Sequence, residues 1–202
     1  MVSDLLDSYP DDFIAVFYQF NNSANQPWCS TRAIFYGLQY VPRMWWGDED
    51  GGSTSSAWEN DILSRRDVPT DVTIDLNVFR GGLDLDVYST ICIEAGGTGK
   101  TMRIFTAQIL DHHLSSISYH RNAFRQVAIE DVTVAAGACV DLHASMGLKD
   151  GDVAQATDIG VVIWAQEPAT DGPAETYQAA YIMNPPGIKG DGFESGDTTA
   201  WD

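Results

Sequence analysis

The sequence predicts an α+β chain: a short, incomplete α/β part over residues 1–68, an antiparallel β-sandwich over residues 69–183, and an aperiodic acidic tail over residues 184–202. Three features predict it. Up to residue 68, apolar residues recur at helical spacing between prolines. From Thr70 onward they alternate with polar residues, and clusters of glycine and aspartate cut that alternation into seven runs of strand length.

In chain order, residues 3–9 read as the end of a helix. Residues 12–19, DFIAVFYQ, are an almost unbroken apolar run, which suits a strand covered on both faces at the centre of an α/β sheet. After the polar connection 21–26, Pro27 pre-sets the first turn of a helix, where its missing N–H is not needed. Ile34, Phe35 and Leu38 share one face of that helix, and Gly37 weakens its end. Pro42 forces Val41 into extended geometry, so the chain enters an inner strand at Pro42, which stops at the acidic turn 47–52. Residues 53–66 form a second helix with Trp58, Ile62 and Leu63 as its apolar stripe, Arg65 and Arg66 at its negative pole, and Pro69 beyond it.

Val72, Ile74, Leu76 and Val78 then alternate with polar residues, Gly81 and Gly82 turn the chain, and Leu83, Leu85 and Val87 resume the pattern up to Glu94. Further strands fall at 101–110, 126–134, 138–145, 158–166 and 175–182, giving seven in all and an immunoglobulin-like sandwich. The tail after Asn184 has no periodicity and is expected to be extended or mobile.

The run RAIFYGLQYVPRMWWGDE, residues 32–49, resembles the segment of extracytoplasmic thioredoxin-like proteins in which a helix leads through a Val-Pro step to a sheet strand. YHRNAFR, residues 119–125, and QEPATDGPAETYQAAYI, residues 166–182, are similar to segments of those relatives, of the outer-membrane-protein kind, that carry a β-sandwich after the thioredoxin-like domain. The resemblance implies a thioredoxin-like portion followed by the sandwich, with Pro42 cis beside the place of the redox disulfide. It also implies that the first strand and the Cys-x-x-Cys turn would lie before Met1, leaving the rest redox-inactive. Val41, Pro42, His120, Arg121 and Arg125 become structural residues on this reading, with His120 and Arg121 pinning a loop to the sandwich.

Charge narrows the function classes. Against 29 acidic side chains stand 11 basic ones, a net charge of −18. That field repels nucleic-acid backbones and anionic lipid, and suits a salty or extracellular setting. No apolar run approaches the roughly 20 residues needed to span a bilayer.

Each chemical motif is incomplete. Gly96–Lys100–Thr101 imitates a phosphate loop, but Glu94 occupies the position of its first glycine, and the run lies between two strands, so it reads as a hairpin turn. His112, His113 and His120 beside Asp111 lack the spacing of a tetrahedral zinc set. Asp48 and Asp50, and Asp150 and Asp152, are candidate calcium ligands on acidic turns, without the glycine and glutamate of an EF-hand loop. Cys29 near a helix N-terminus is a candidate reactive thiol. Cys92 and Cys139 are either small buried hydrophobes or, if their strands are neighbours, a disulfide. No serine-nucleophile turn and no cofactor motif is complete. Trp28, Tyr40, Trp45 and Trp46 either line a groove for a peptide or sugar or seal the seam between the two parts.

These residues imply a non-catalytic extracytoplasmic binding or structural module with a protein or peptide partner. The alternative is the C-terminal fragment of a thiol-disulfide oxidoreductase whose Cys-x-x-Cys and export signal lie upstream of Met1. The sheet edge near residues 13–17 must then be covered, either by a rearranged edge or by self-association with a second chain.

Overall fold

A computed structural model describes residues 2–18, 27–38, 44–46, 48–111, 113–114, 119–148, 158–170, 172 and 174–187. The chain is an α+β protein built mostly of antiparallel sheet. Helix α1 (Val2–Ser8), helix α2 (Pro27–Phe35), the small hairpin β1 (Met44–Trp46) and β2 (Glu49–Gly52), and helix α3 (Ser55–Arg65) come first. The strands β3 (Val72–Gly81), β4 (Asp84–Ile93), β5 (Lys100–Leu110), β6 (His113–Leu114), β7 (Tyr119–His120), β8 (Ala123–Val134), β9 (Cys139–Gly147), β10 (Ile159–Gln166) and β11 (Thr176–Met183) follow.

Seven of these strands make two sheets, one ordered β3-β4-β9 and the other β11-β10-β5-β8, with every neighbouring pair antiparallel. The inward residues interdigitate. Val72, Ile91 and Ile93 of the smaller sheet pack on Met102, Ile104, Ile163 and Ala165 of the larger, and Val78, Leu85, Val87 and Met146 pack on Leu110, Ile159 and Val161. The β3–β4 turn spans Gly82 and Leu83 between the paired Gly81 and Asp84, and Gly82 has φ +61°, the left-handed first position of a II′ hairpin. Helix α2 ends at Gly37, φ +59°, with the Leu38 amide bonded back to the Ala33 carbonyl at 2.9 Å.

The larger sheet is covered on its other face too. Phe105, Ala107, Ile109, Phe124, Val162 and Trp164 pack there against Ile14, Val16, Tyr18, Trp28 and Cys29. A smaller core joins Leu5 and Leu6 of α1, Phe13, Ala15, and Trp58 and Ile62 of α3, with Met44 and Trp46 against it.

Three expectations change. Among the described residues, 12–18 do not form a central strand. The described part of the run makes one parallel bridge, Phe17 with Ala123, closed by the Phe17 amide on the Asn122 carbonyl and the Phe124 amide on the Phe17 carbonyl, both 3.0 Å. Its faces are still buried, because Phe13 and Ala15 enter one core while Ile14 and Val16 enter the other. Residues 44–46 are not an inner strand either: they pair only with residues 49–52, and Gly51 lies so close under the Trp46 indole that a Cβ there would clash. Finally, the turn before Lys100 is a crossover, since β4 and β5 belong to different sheets. Asp71 fixes it, accepting from the Thr98 amide at 2.9 Å and from Lys100 Nζ at 2.6 Å. Val41 and Pro42 lie outside the described residues, as do Lys149 and residues 188–202.

Candidate functional site

A cleft of about 270 Å³ opens where α1 and residues 10–14 meet the end of the larger sheet. Its apolar wall is Leu6, Phe13, Ile14 and Met183, and its polar rim is Asp7, Asp111, Arg121, Asn122 and Tyr181. Asp111 follows the last residue of β5, and its amide is held by the Asp158 carbonyl at 2.8 Å. Arg121 sits in the turn between β7 and β8, donating Nε to Asp111 Oδ1 and Nη1 to Asp7 Oδ1, the latter at 2.9 Å. Asn122 adopts φ +50°, a left-handed position that asparagine tolerates, just before the bridge to Phe17. Tyr181 closes the far side by donating its hydroxyl to the Pro10 carbonyl at 2.9 Å.

The electrostatics follow from that geometry. One guanidinium is shared between two carboxylates, so the three groups carry a net −1. Its pKa is raised chiefly by the hydrogen bond to Asp111, which keeps it charged. Arg121 and Asp111 are mostly covered, whereas the Asp7 side chain is 68% exposed and can turn toward a ligand.

The residues singled out in the sequence are scattered. Arg121 joins the sandwich to α1 across 114 positions of sequence. His120 pairs with His113 through the short β6–β7 ladder, and Arg125 is buried in β8. Cys29 lies in the first turn of α2 but is 0% exposed, so the folded protein offers no reagent a path to its sulfur. Trp28 stacks on Phe124 at 5.0 Å, while Trp46 packs on Phe13 at 5.5 Å in the other core; the two do not line one groove. Tyr40, the Trp45 side chain, His112, Asp150 and Asp152 lie outside the described residues. Asp48 and Glu49 reach Arg65 at 3.9 and 2.5 Å, and Asp50 accepts from the Gly52 amide at 2.9 Å. Among the described residues no group of three or more potential metal ligands converges.

Sequence reasoning missed a buried polar knot. Arg32 is 5% exposed, with its guanidinium 4.6 to 5.3 Å from the ring centres of Phe35, Tyr36, Phe105 and Trp28. Its Nη2 donates to the Tyr36 hydroxyl at 2.7 Å and to Gln166 Oε1 at 3.3 Å, and its Nε has no partner among the described residues. Gln166 in turn donates to the Ala174 carbonyl at 2.8 Å. Burial pushes the Tyr18 hydroxyl well above the ordinary phenol range, opposed in part by the nearby Arg32 charge. The available signal was an arginine at helical spacing from Trp28, Phe35 and Tyr36, positions that favour cation–π contact.

Cys92 and Cys139 are directly opposite on β4 and β9 and are joined by a disulfide, with Cα atoms 4.1 Å apart. Among the described residues no helix is long and apolar enough to cross a membrane.

No protein-family model matches the chain, and no curated protein matches it in sequence. Among solved structures it is similar to a structural-genomics protein from Agrobacterium tumefaciens, at 16% identity over 83% of this chain and 75% of that one, with a TM-score of 0.49. It is also similar to the sporulation control protein Spo0M from Bacillus subtilis, at 8% identity over 59% of this chain and 50% of that one, TM-score 0.36. A β-glucosidase from Kluyveromyces marxianus aligns at 9% identity with 57% of this chain, TM-score 0.36; the chain spans only 14% of that enzyme's length.

Proposed function

We propose that the chain is a non-catalytic binding or structural module that works outside the cytoplasm: an immunoglobulin-like sandwich bearing a reduced thioredoxin-like portion. The Val-Pro segment at 41–42 and the YHRNAFR segment at 119–125 support the lineage through their resemblance. The Cys92–Cys139 bond supports an oxidising compartment, where such bonds persist.

The observation that carries the binding role is the cleft beside Arg121, with an apolar wall and a rim of net negative charge. A cleft of this size takes one or two side chains of a partner peptide rather than a large cofactor. Because Arg121 already serves two carboxylates, the group the rim favours is cationic: a lysine or arginine flanked by an apolar residue. The surrounding −18 charge adds attraction at long range.

Titration with a short peptide containing a Leu-Lys pair, read by amide chemical shifts, tests this. Shifts should concentrate on Asp7, Asn122, Tyr181 and Met183. Acetylating the lysine, replacing Asp7 by Asn, or adding salt should each weaken binding severalfold. Equal binding of the acetylated and free peptides would remove the proposed role.

A further inference from the structure

The second half of the chain carries a sulfur pair whose placement differs from that of a structural bond. Antibody domains join their two sheets through a disulfide buried in the core. Here both cysteines belong to one sheet. Inward positions of β4 are held by Ile91 and Ile93, so Cys92 between them faces outward with Thr90 and Tyr88. Cys92 is half-buried, and Cys139, the first residue of the edge strand β9, is exposed.

The backbone does not depend on the bond. The Ile93 amide donates to the Ala138 carbonyl at 3.0 Å, which makes Cys92 and Cys139 a non-hydrogen-bonded pair, the position where facing side chains come closest. From there the register runs unbroken to Asp84 opposite Gly147. The ladder and the inward aliphatic residues therefore hold β9 on β4 when the sulfurs are free. Exposed disulfides of this kind are the ones that exchange.

We propose that Cys92–Cys139 is a thiol-exchange site, attacked at Cys139 by small neutral or cationic thiols. A thiolate attacks Cys139 Sγ, a new sulfur–sulfur bond forms, the bond to Cys92 breaks, and Cys92 leaves as a thiolate that takes a proton from water. A second thiol molecule then attacks the adduct, giving two protein thiols and one oxidised disulfide of the small thiol. The overall step is a two-electron reduction of the protein by two thiols. Exposure directs attack to Cys139, because Cys92 is the more covered residue. Charge selects the reagent: Asp141 lies on the same face two residues along β9, fixed by the Thr90 hydroxyl at 2.7 Å, and the whole chain carries −18. The thiolate of a carboxylated thiol carries two negative charges and meets that field unfavourably, whereas the thiolate of an aminothiol is a zwitterion whose ammonium group offsets the repulsion.

The inference is independent of the cleft, so either can fail alone. The test exposes the folded chain at low ionic strength to cysteamine, 2-mercaptoethanol and 3-mercaptopropionate at matched thiolate concentrations. Adducts are located by peptide mass spectrometry, and amide exchange in β4 and β9 is followed alongside. The expected result is adduct on Cys139, none on the buried Cys29, and an about tenfold faster reaction with the cationic thiol than with the anionic one. That difference should shrink in 1 M salt, and the strand amides should stay protected after reduction. Asp141→Asn should speed the doubly charged 3-mercaptopropionate thiolate most, the singly charged 2-mercaptoethanol thiolate less, and the zwitterionic cysteamine thiolate least. Adduct mainly on Cys92, equal rates for all three thiols, or reduction only where the amides exchange as in the unfolded chain would each overturn the proposal.

Discussion

The two sheets of the sandwich solve different burial problems. In β3-β4-β9 one face meets the core and the other meets water, and β4 alternates along its length: Leu85, Val87, Ile91 and Ile93 are buried while Asp84 and Tyr88 are exposed. In the larger sheet β10 is buried at all eight positions. Its inner face is aliphatic, and its outer face carries Val162, Trp164 stacked on Phe105 at 4.8 Å, and Gln166 bonded to Arg32. The difference teaches that alternation along a strand reports what covers the sheet. Where helix α2 and residues 14–18 cover the second face, the pattern collapses into an apolar run, and the cover brings its own polar groups with it.

The largest expected effect tests that covered face. Phe105→Ala removes the ring that joins Trp28, Arg32 and Trp164, and should cost about 3–5 kcal/mol in urea unfolding, with early loss of amide protection in α2. Next comes Arg32. Arg32→Ala leaves a void and strips the Gln166 oxygen of a donor, at a cost of about 1–3 kcal/mol. Arg32→Met, which fills the space without charge, should cost less or stabilise the chain, as happens at other buried ions. Equal losses for the two variants would mean that the charge itself is needed. On the wet face of the smaller sheet, Tyr88→Ala loses exposed ring contacts with His143 at 4.5 Å and Phe79 at 6.1 Å and should change stability by no more than about 0.5 kcal/mol.

The smallest effects separate the faces by pH. Hydrogen bonds from Lys100 and Arg103 hold the Asp71 and Asp131 carboxyls below their usual range. Their contribution is complete above about pH 4 and declines as the pH falls through the lowered values. The Tyr18 hydroxyl is shifted up by burial, so its contribution is complete below about pH 10 and declines as the pH rises beyond. Urea midpoints measured from pH 2 to 5 should respond to Asp131→Asn, and those from pH 9 to 11 to Tyr18→Phe. The absorbance of ionised tyrosine should show the Tyr18 ring resisting titration in the folded chain.

Strands β3, β4 and β9 were legible from the two-residue period on a face that meets water, and β10, buried throughout, from the turn residues that bound its apolar run. Sheet membership was not. A hairpin turn and a crossover share the composition of residues 95–99, and what decides between them is the Asp71 carboxylate, 27 residues from the Thr98 amide it binds. Arg32 was equally opaque, since its burial depends on Gln166, 134 residues away. Arg121 could be read as a pin from the sequence, yet its partner Asp7 lies 114 residues upstream, so the cleft they help to rim was invisible. In the described part of the run, residues 13–18 have the double burial that composition announced. The missing backbone ladder was hidden because apolar content says what surrounds a segment, and nothing about whether a neighbouring strand runs beside it.

The bridge between Phe17 and Ala123 sets an order of events during synthesis. A ribosome adding roughly 5–20 residues per second finishes the first segment on the order of ten seconds before the strand that receives it emerges. Through that interval Ile14, Val16 and Tyr18 lack the sheet face they pack on, while Phe13 and Ala15 can already meet the residues of α1 and, soon after, α3. The apolar side chains that face the sheet stay uncovered until that strand arrives.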